Sequence, residues 1–417
     1  MPTPHSTAET ADAPFHRLPV MQPGRGFDLL DGVRVLDLTT SVAGPYATLL
    51  LGDLGAEIIK VERLGGDDAR TWGPPFLDGQ SLWFLSMNRN KQSVALDYTR
   101  DDGRVALHDL VRASDVVVTN LLPRTAAKLG LDAAHLTALK ETLIYVAITG
   151  FGLTGARADL TCYDLIAEGY SGIMDITGAA DGEPQKIGAP AADMLAGEDA
   201  AFAAVAALYA RMRTGLGRVI DISLVESMTR FLACRIVPYL GSGEVPQRSG
   251  GKDSVIAVYQ AFETADHPIT LGLGTDAIWT RFWKAVGDPE FGADHVDNVQ
   301  RRAARPHIVA RIQTLLRQKP RVEWLALFRA AHIPAGPINR VDQVVDDPTF
   351  TERGFFYRLR DGARELPQVG TGFHVDGAAN TPRSAPPSLG EHTRTVLSGV
   401  LGYTDDRIGS LAASGII

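Results

Sequence analysis

The sequence predicts an α/β protein, with a large domain built on a parallel sheet and a smaller α+β domain. Three observations carry this prediction. Six short runs rich in Val, Ile and Leu lie between residues 33 and 223. Stretches with helical spacing separate them, the alternation that βαβ units require. After about residue 240 the alternation stops, and a Gly-rich polar loop, "GSGEVPQRSGGKDS" (241–254), opens a different texture.

Taken in order, "MPTPHSTAETADAPFHRLPVMQPGRG" (1–26) is polar and proline-bearing. It has neither the apolar stretch of a secretory signal nor the arginine-rich, acid-poor look of a transit peptide, so it reads as a flexible tail. The strand candidates are "VRVLDL" (33–38), "AEIIKVE" (56–62), "SVALD" (93–97), "DVVVTN" (115–120), "LIYVAI" (143–148) and "RVIDIS" (218–223). Near-continuous apolar runs such as "VVV" mark strands covered on both faces, as in a Rossmann-like sheet. "GPYATLLLGDLG" and "RDDGRVALHDLVRAS" carry helical spacing between them. The large α/β domain is placed at 27–225, completed by a returning C-terminal segment at 333–417. A linker helix covers 226–244 and the small domain 245–332. Within the latter, "YQAFETADHPITLGLG" reads as two strands joined by a turn at Asp266–Pro268, with helices near 276–286 and 306–330. The chain closes on "LGEHTRTVLSGVLGYTDDRIGSL", which reads as helical.

Composition narrows the function. A net charge of −8 lacks the basic excess of a nucleic-acid binder. No apolar run approaches the ~20 residues that span a bilayer, so no membrane partner is expected. Two distant cysteines, Cys162 and Cys234, suggest no disulfide framework and fit a reducing, cytoplasmic compartment. Ten histidines are scattered without metal-ligand spacing, so no metal site is expected.

One carboxylate stands out. "GAPAA" (188–192) leads to Asp193 and into a helix whose residues Phe202, Val205, Tyr209 and Met212 recur at spacings of 3, 4 and 3, one apolar face. That helix ends near "RTGLG", where Gly215 and Gly217 can supply left-handed caps and Arg211 and Arg213 sit at the negative dipole end. Asp193 falls where an N-cap belongs; N3 is then Ala196, and no capping box forms. An aspartate there can serve simply to cap orphan amides. Flanked by small residues, it is also open to a substrate. With a reference pKa of about 3.9, and kept ionised by the helix N-terminus, it could attack an activated acyl group. Spacing alone leaves both readings open.

From about Leu30 to its end the chain resembles the class III CoA-transferase family. The likeness rests on "LDGVRVLDLTTSVAGPYATLLLGDLGAEIIKVERLGGDDAR", "NRNKQSVALD", "VVVTNLLPRTAAKLGL", "AITGFG", "RTGLGRVIDISLVESM", "IPAGPIN" and "LGEHTRTVL", in the family's order. The family's catalytic aspartate precedes the long helix, where this chain has "APAADMLAG"; the resemblance therefore assigns the role to Asp193. It implies CoA transfer from an acyl-CoA thioester to a free carboxylic acid, through a mixed anhydride and an aspartyl-CoA thioester. Acyl-CoA is then a substrate, and no tightly bound cofactor is needed. It also implies an interlocked homodimer. Residues matched to the family's CoA contacts are Val42, Ala43, Arg63, Leu96, Thr99, Asn120, Leu121, Lys128, Thr149 and Gly150. Thr99 and Thr149 replace lysines of some members. Gly250 and Gly251 match a lid loop. Val42 stands where the formyl-CoA branch has glutamine, and this points toward the succinyl-CoA-dependent dicarboxylate branch.

Two other functions are weighed. The family's 2-methylacyl-CoA racemases carry a "G-H-D-I-N-Y" motif; the stretch here is "CYDLIAEGYSG", with Tyr163 in place of the histidine base. "GLGTDA" (272–277) fits G-x-G-x-x-A through Gly272, Gly274 and Ala277, the form of a dinucleotide-dependent oxidoreductase, but no acidic residue closes a second strand about twenty positions on.

Overall fold

The computed structural model describes residues 13–253 and 255–417. The chain forms two compact units. The larger comprises the chain up to Ser171, Gly188–Leu232 and Asp347–Ile417; the smaller comprises Gly172–Ile187 and Ala233–Asp346. Of the segment 1–26 expected to be a flexible tail, residues 1–12 lie outside the described range. Beyond them Pro14–Arg17 makes a 3-10 turn, and Val20–Met21 pairs in parallel with Phe356–Asp361.

Six strands form the sheet of the larger unit: β1 (Arg34–Leu38), β2 (Glu57–Glu62), β3 (Lys91–Ala95), β4 (Val116–Thr119), β5 (Ile144–Thr149) and β6 (Arg218–Ser223). All neighbours are parallel, in the order β3-β2-β1-β4-β5-β6. This is the doubly wound order, with its reversal between β1 and β4. Strand β3 starts at Lys91, two residues before the apolar run at 93, because the Lys91 side chain is buried in an ion network.

The helices used below are α1 (Ala43–Asp53), α2 (Asp101–Ala113), α3 (Asp164–Ser171), α4 (Ala191–Thr214) and α5 (Leu224–Phe231). One face of the sheet presents Leu36, Ile59, Val94 and Val117. It packs on Leu107 and Leu110 of α2 and on Val396, Leu397, Ile408 and Leu411 of the C-terminal helices Thr393–Gly399 and Asp405–Ala413. Residues alternate along a strand, so Asp37 and Lys60 point to the other face. There Lys91 Nζ donates to Asp37 (3.1 Å), to the Pro45 carbonyl (2.8 Å) and to Asn88 (3.1 Å). Lys60 Nζ donates to the Thr39 carbonyl (2.7 Å) and pairs with Asp67 (2.9 Å). Burial opposes the charge on Asp37, but Lys60 and Lys91 outweigh it and hold the carboxyl far below its ordinary range. Burial draws Lys91 down to about 8.

Sequence spacing marks Phe202, Val205, Tyr209 and Met212 as the buried face of α4; the structure turns most of that stripe outward. Phe202 is 77% and Met212 85% exposed. The buried face is made of small residues: Ala196, Gly197, Ala200, Ala204 and Ala207. Close packing on α1 is the reason, since a Cβ on Gly197 would lie 2.7 Å from the Ala43 carbonyl oxygen. Gly215 ends the helix at φ 69°, as expected. Gly217 is not left-handed; it is small because the Leu143 backbone lies against it.

In the smaller unit β7 (Tyr259–Phe262), β8 (Ile269–Gly272) and β9 (Ala335–Pro337) form an antiparallel sheet in that order. Its core gathers Ile269, Trp279, Phe282, Trp283, Ile312 and Phe328. The helix expected over 306–330 is two helices, Arg305–Leu316 and Arg321–Ala330, because Pro320 cannot continue the first and caps the second. Gly272, Gly274 and Ala277 follow an antiparallel strand, and the Thr275 hydroxyl caps the helix Asp276–Ala285. A dinucleotide fingerprint needs a βαβ crossover at that turn, and this one has none.

Candidate active site

The residues matched to CoA contacts cluster at one edge of the sheet. Val42 and Ala43 follow β1, Arg63 follows β2, Leu96 and Thr99 follow β3, Asn120 and Leu121 follow β4, and Thr149 and Gly150 lie at the end of β5. Five adjacent parallel strands thus deliver them to their carboxyl ends, where open α/β sheets bind ligands.

The loop after β1 is fixed by its neighbours. Asn120 Oδ1 accepts from the Thr40 amide (3.2 Å), and Asn120 Nδ2 donates to the Thr40 carbonyl (2.8 Å). Asp67 accepts from the Ser41 amide (3.1 Å), and Ser41 is held at φ 72°. Val42 and Ala43 are nearly closed off, so this loop meets a ligand chiefly with backbone atoms. Arg63 donates to the Gly66 carbonyl and pairs with Asp68. The Thr99 hydroxyl donates to Asp97 (2.6 Å), and the Thr149 hydroxyl accepts from the Gly152 amide (2.9 Å). Lys128 is exposed at the end of the helix Pro123–Leu129. Leu121 packs against the core, and the Leu96 side chain is fully within it.

Asp193 is not at the N-cap. Helix α4 begins three residues earlier than expected, at Ala191, so Pro190 is the N-cap and Asp193, not Ala196, occupies N3. Pro190 offers no side-chain acceptor. Asp164, the first residue of α3, supplies one instead: its Oδ1 accepts from the Ala192 amide (2.8 Å) and the Asp193 amide (3.3 Å). The helix dipole was expected to keep Asp193 ionised. Instead its half-buried carboxyl is pushed up to about 7, by burial first and then by the Asp164 carboxylate. The amides that would have held its charge are engaged by Asp164.

Two other predicted residues, Gly150 and Ala43, are linked to it through neighbours. Burial, and then Asp193, push the Cys162 thiol up to about 11. Gly150 lies against Cys162 so closely that a Cβ would overlap that side chain. One turn along α4 from Asp193, Gly197 seats the Ala43 carbonyl. Asp164 had entered the sequence argument only beside the racemase motif. Its signal was available, since Pro190 leaves the helix start without an acceptor of its own. Tyr163, at the racemase base position, is 72% exposed.

In the smaller unit the loop carrying Gly250 and Gly251 is tied at both ends. Arg248 bonds Asp175, and the Gly250 amide donates to the Gly178 carbonyl (3.1 Å). Arg235 bonds the Asp253 carboxylate (3.0 Å), and Arg305 bonds the Asp253 carbonyl (2.6 Å). Gly250 (φ 61°) and Gly251 (φ 74°) take left-handed conformations between these ties.

Among the described residues no three His, Cys, Asp or Glu side chains gather as metal ligands would, and no helix is long and apolar enough to cross a membrane. A carboxylate that is partly desolvated, uncapped and surrounded by small residues can serve as a nucleophile or share a proton.

Comparison with known proteins adds to this geometry. Residues 30–393 match the family model for CoA-transferase family III. The chain is 37% identical over 398 residues to the succinyl-CoA:glutarate CoA-transferase of Mus musculus, covering 93% of this chain and 90% of that one. It is 36% identical over 379 residues to a succinate–glutarate CoA-transferase of Agrobacterium fabrum, covering 88% and 95%. Among solved structures, a CAIB/BAIF family protein from Brucella suis superposes with a TM-score of 0.79 at 36% identity, covering 90% of this chain and all of that one.

Proposed function

Since the chain belongs to CoA-transferase family III and is a CoA-transferase, we propose that it moves CoA between dicarboxylic acids, with succinyl-CoA or a homologue as donor and Asp193 as covalent carrier. Relatives named as succinyl-CoA:glutarate, succinate–glutarate and succinyl-CoA–D-citramalate CoA-transferases support that substrate class. The observation that carries the role of Asp193 is its carboxylate: half-buried, free of capping duty, and one turn along α4 from Gly197, which lies against the Ala43 backbone.

The anionic Asp193 oxygen attacks the thioester carbon, the C–S bond breaks, and CoA leaves as thiolate from a mixed anhydride. That thiolate then attacks the Asp193 acyl carbon. The donor acid leaves as its carboxylate, and an aspartyl-CoA thioester remains. An acceptor carboxylate repeats the two steps in reverse order and restores the Asp193 carboxylate. Water must be kept from both intermediates, and developing oxyanions need N–H donors, each worth about 3–4 kcal/mol. The pinned backbone at Val42 and Ala43 is suited to that task.

Assembly belongs to the same reading. Phe202, Tyr209 and Met212 form an exposed stripe on α4, and Phe202 lines an apolar hollow of about 270 Å³ together with Leu50, Leu54, Val205 and Phe373. Such a surface supports a homodimer, in the interlocked form that the family implies. The two left-handed glycines at 250 and 251 support a role for that loop as a lid. Free Cys162 and Cys234 fit a cytoplasmic enzyme.

The decisive experiment is a screen of acyl-CoA donors against carboxylate acceptors, read by mass spectrometry, on the native enzyme and Asp193→Ala. Native protein should exchange CoA between dicarboxylates and carry a CoA adduct on Asp193; the variant should do neither. Exchange at near-native rate in the variant rejects the mechanism.

A further inference from the structure

We propose that Asp164 is a positioning residue for Asp193. By taking the Ala192 and Asp193 amides it caps α4 in the nucleophile's place, and it leaves the Asp193 carboxylate uncapped beside a second negative charge. This deepens the reading of Asp193 as covalent carrier and rests on it.

The argument starts from the helix end. The first amides of an α-helix have no partner within the helix, and an acidic residue in the first turn is drawn to them. Pro190, at the N-cap, has no acceptor to offer. Left to itself, Asp193 at N3 would be drawn back to these amides and held there as a low-energy, weakly basic anion. Asp164 prevents this. It stands 29 residues away (193 minus 164), at the start of α3, and its oxygen fills the site.

The charged surroundings leave Asp164 as the dominant neighbour. Cys162 also faces Asp193, with its thiol pushed up and so uncharged. On α1, Tyr46 is directed to Glu198 (3.5 Å), further along α4. Asp199 is engaged by Ser227 and Arg230 of α5. Near the end of β6, Asp221 accepts from the Leu153 amide.

The consequence concerns the reaction itself. In both covalent intermediates the Asp193 carboxyl is uncharged, so its repulsion with Asp164 and its desolvation cost both vanish on acylation. Asp164 thereby disfavours the free anion relative to the acylated states, a ground-state effect that speeds the attack.

The test uses Asp164→Asn, which keeps an acceptor for the two amides and removes the charge, and Asp164→Ala, which removes both. Two readouts are taken on the full chain. One is the titration of the Asp193 carboxyl by 13C NMR, assigned by its loss in Asp193→Asn. The other is the pH profile of kcat for CoA exchange. In Asp164→Asn the Asp193 midpoint should fall by about one pH unit, the acid limb should move with it, and kcat above pH 8 should drop while KM for acyl-CoA stays within about twofold. Asp164→Ala should lose more activity and also thermal stability. A titration curve of Asp164→Asn that coincides with the native one overturns the proposal, as does an unchanged kcat. If Asp164→Asn does not fold, Asp164→Ser, a neutral capping residue, is read in the same way. The NMR titration does not depend on turnover. Survival of exchange in Asp193→Ala would therefore reject the covalent mechanism separately from the positioning role.

Discussion

Asn120 and Thr40 hold each other by two hydrogen bonds, one in each direction, with the Thr40 amide 3.2 Å from Asn120 Oδ1 and Asn120 Nδ2 2.8 Å from the Thr40 carbonyl. The pair ties the end of β4 to the end of β1, the two strands between which the sheet order reverses. Asn120→Ala leaves both main-chain groups of Thr40 without these partners. It should cost about 1–3 kcal/mol in urea unfolding and should raise KM for acyl-CoA more than it lowers kcat. An unchanged KM would show that the loop keeps its form without the tie.

The pH dependence of exchange follows from Asp193. In the proposed mechanism the nucleophile is the anion, and burial and Asp164 push the Asp193 carboxyl up to about 7. In kcat/KM profiles the rate should therefore rise with pH through about 7 and level off above it. An ordinary carboxylate would place that limb near 4. A profile flat down to pH 5 would show that Asp193 is ionised in the free enzyme by a group not accounted for.

The same shift has a thermodynamic face. Folding raises the Asp193 pKa above its unfolded value near 4, so the native state binds that proton more tightly. No penalty exists below the unfolded pKa. It grows as pH rises from about 4 and is complete above about 7. Asp193→Asn should therefore stabilise the protein at pH 8, by on the order of 2 kcal/mol once the shift is discounted for solvent reaching a half-buried group. The gain should shrink toward zero at pH 4. Chemical denaturation at the two pH values measures it, and an equal effect at both would contradict the shift.

Gly197 sets the distance between α1 and α4. A methyl group there would meet the Ala43 carbonyl at 2.7 Å and the Tyr46 ring at 2.9 Å. Gly197→Ala removes a flexible residue from a helix interior, which by itself favours folding by roughly 1 kcal/mol. The overlap should outweigh that gain, giving a net loss of about 1–2 kcal/mol and reduced kcat. A variant more stable than the native enzyme would mean that α1 can move aside.

The six strands were legible because a parallel sheet covered on both faces writes each strand as an apolar run. Lys91 escaped that rule, since its burial depends on Asp37, which lies far away in sequence. The buried face of α4 was misassigned for a related reason. Spacing identifies apolar stripes, and this helix has two, one of small residues against α1 and one of large residues facing outward. The start of α4 was misplaced because Ala191 and Ala192 suit a helix as well as they suit a loop, and nothing local settles which. Asp193 was legible as a carboxylate among small residues at the start of a long helix, whereas the state of its proton was not. That state depends on Asp164, which the fold brings to the helix from another segment.

The core beneath the sheet is completed by Val396, Leu397, Ile408, Leu411 and Ile416, which come far later in the chain than any strand of that sheet. Until they arrive, Leu36, Ile59 and Val94 line a face with part of its cover missing, and the nascent chain presents a sticky surface. Closing that interior thus waits on a segment made long after the sheet strands. A message cut short before Val396 should yield a chain for the cell's proteases.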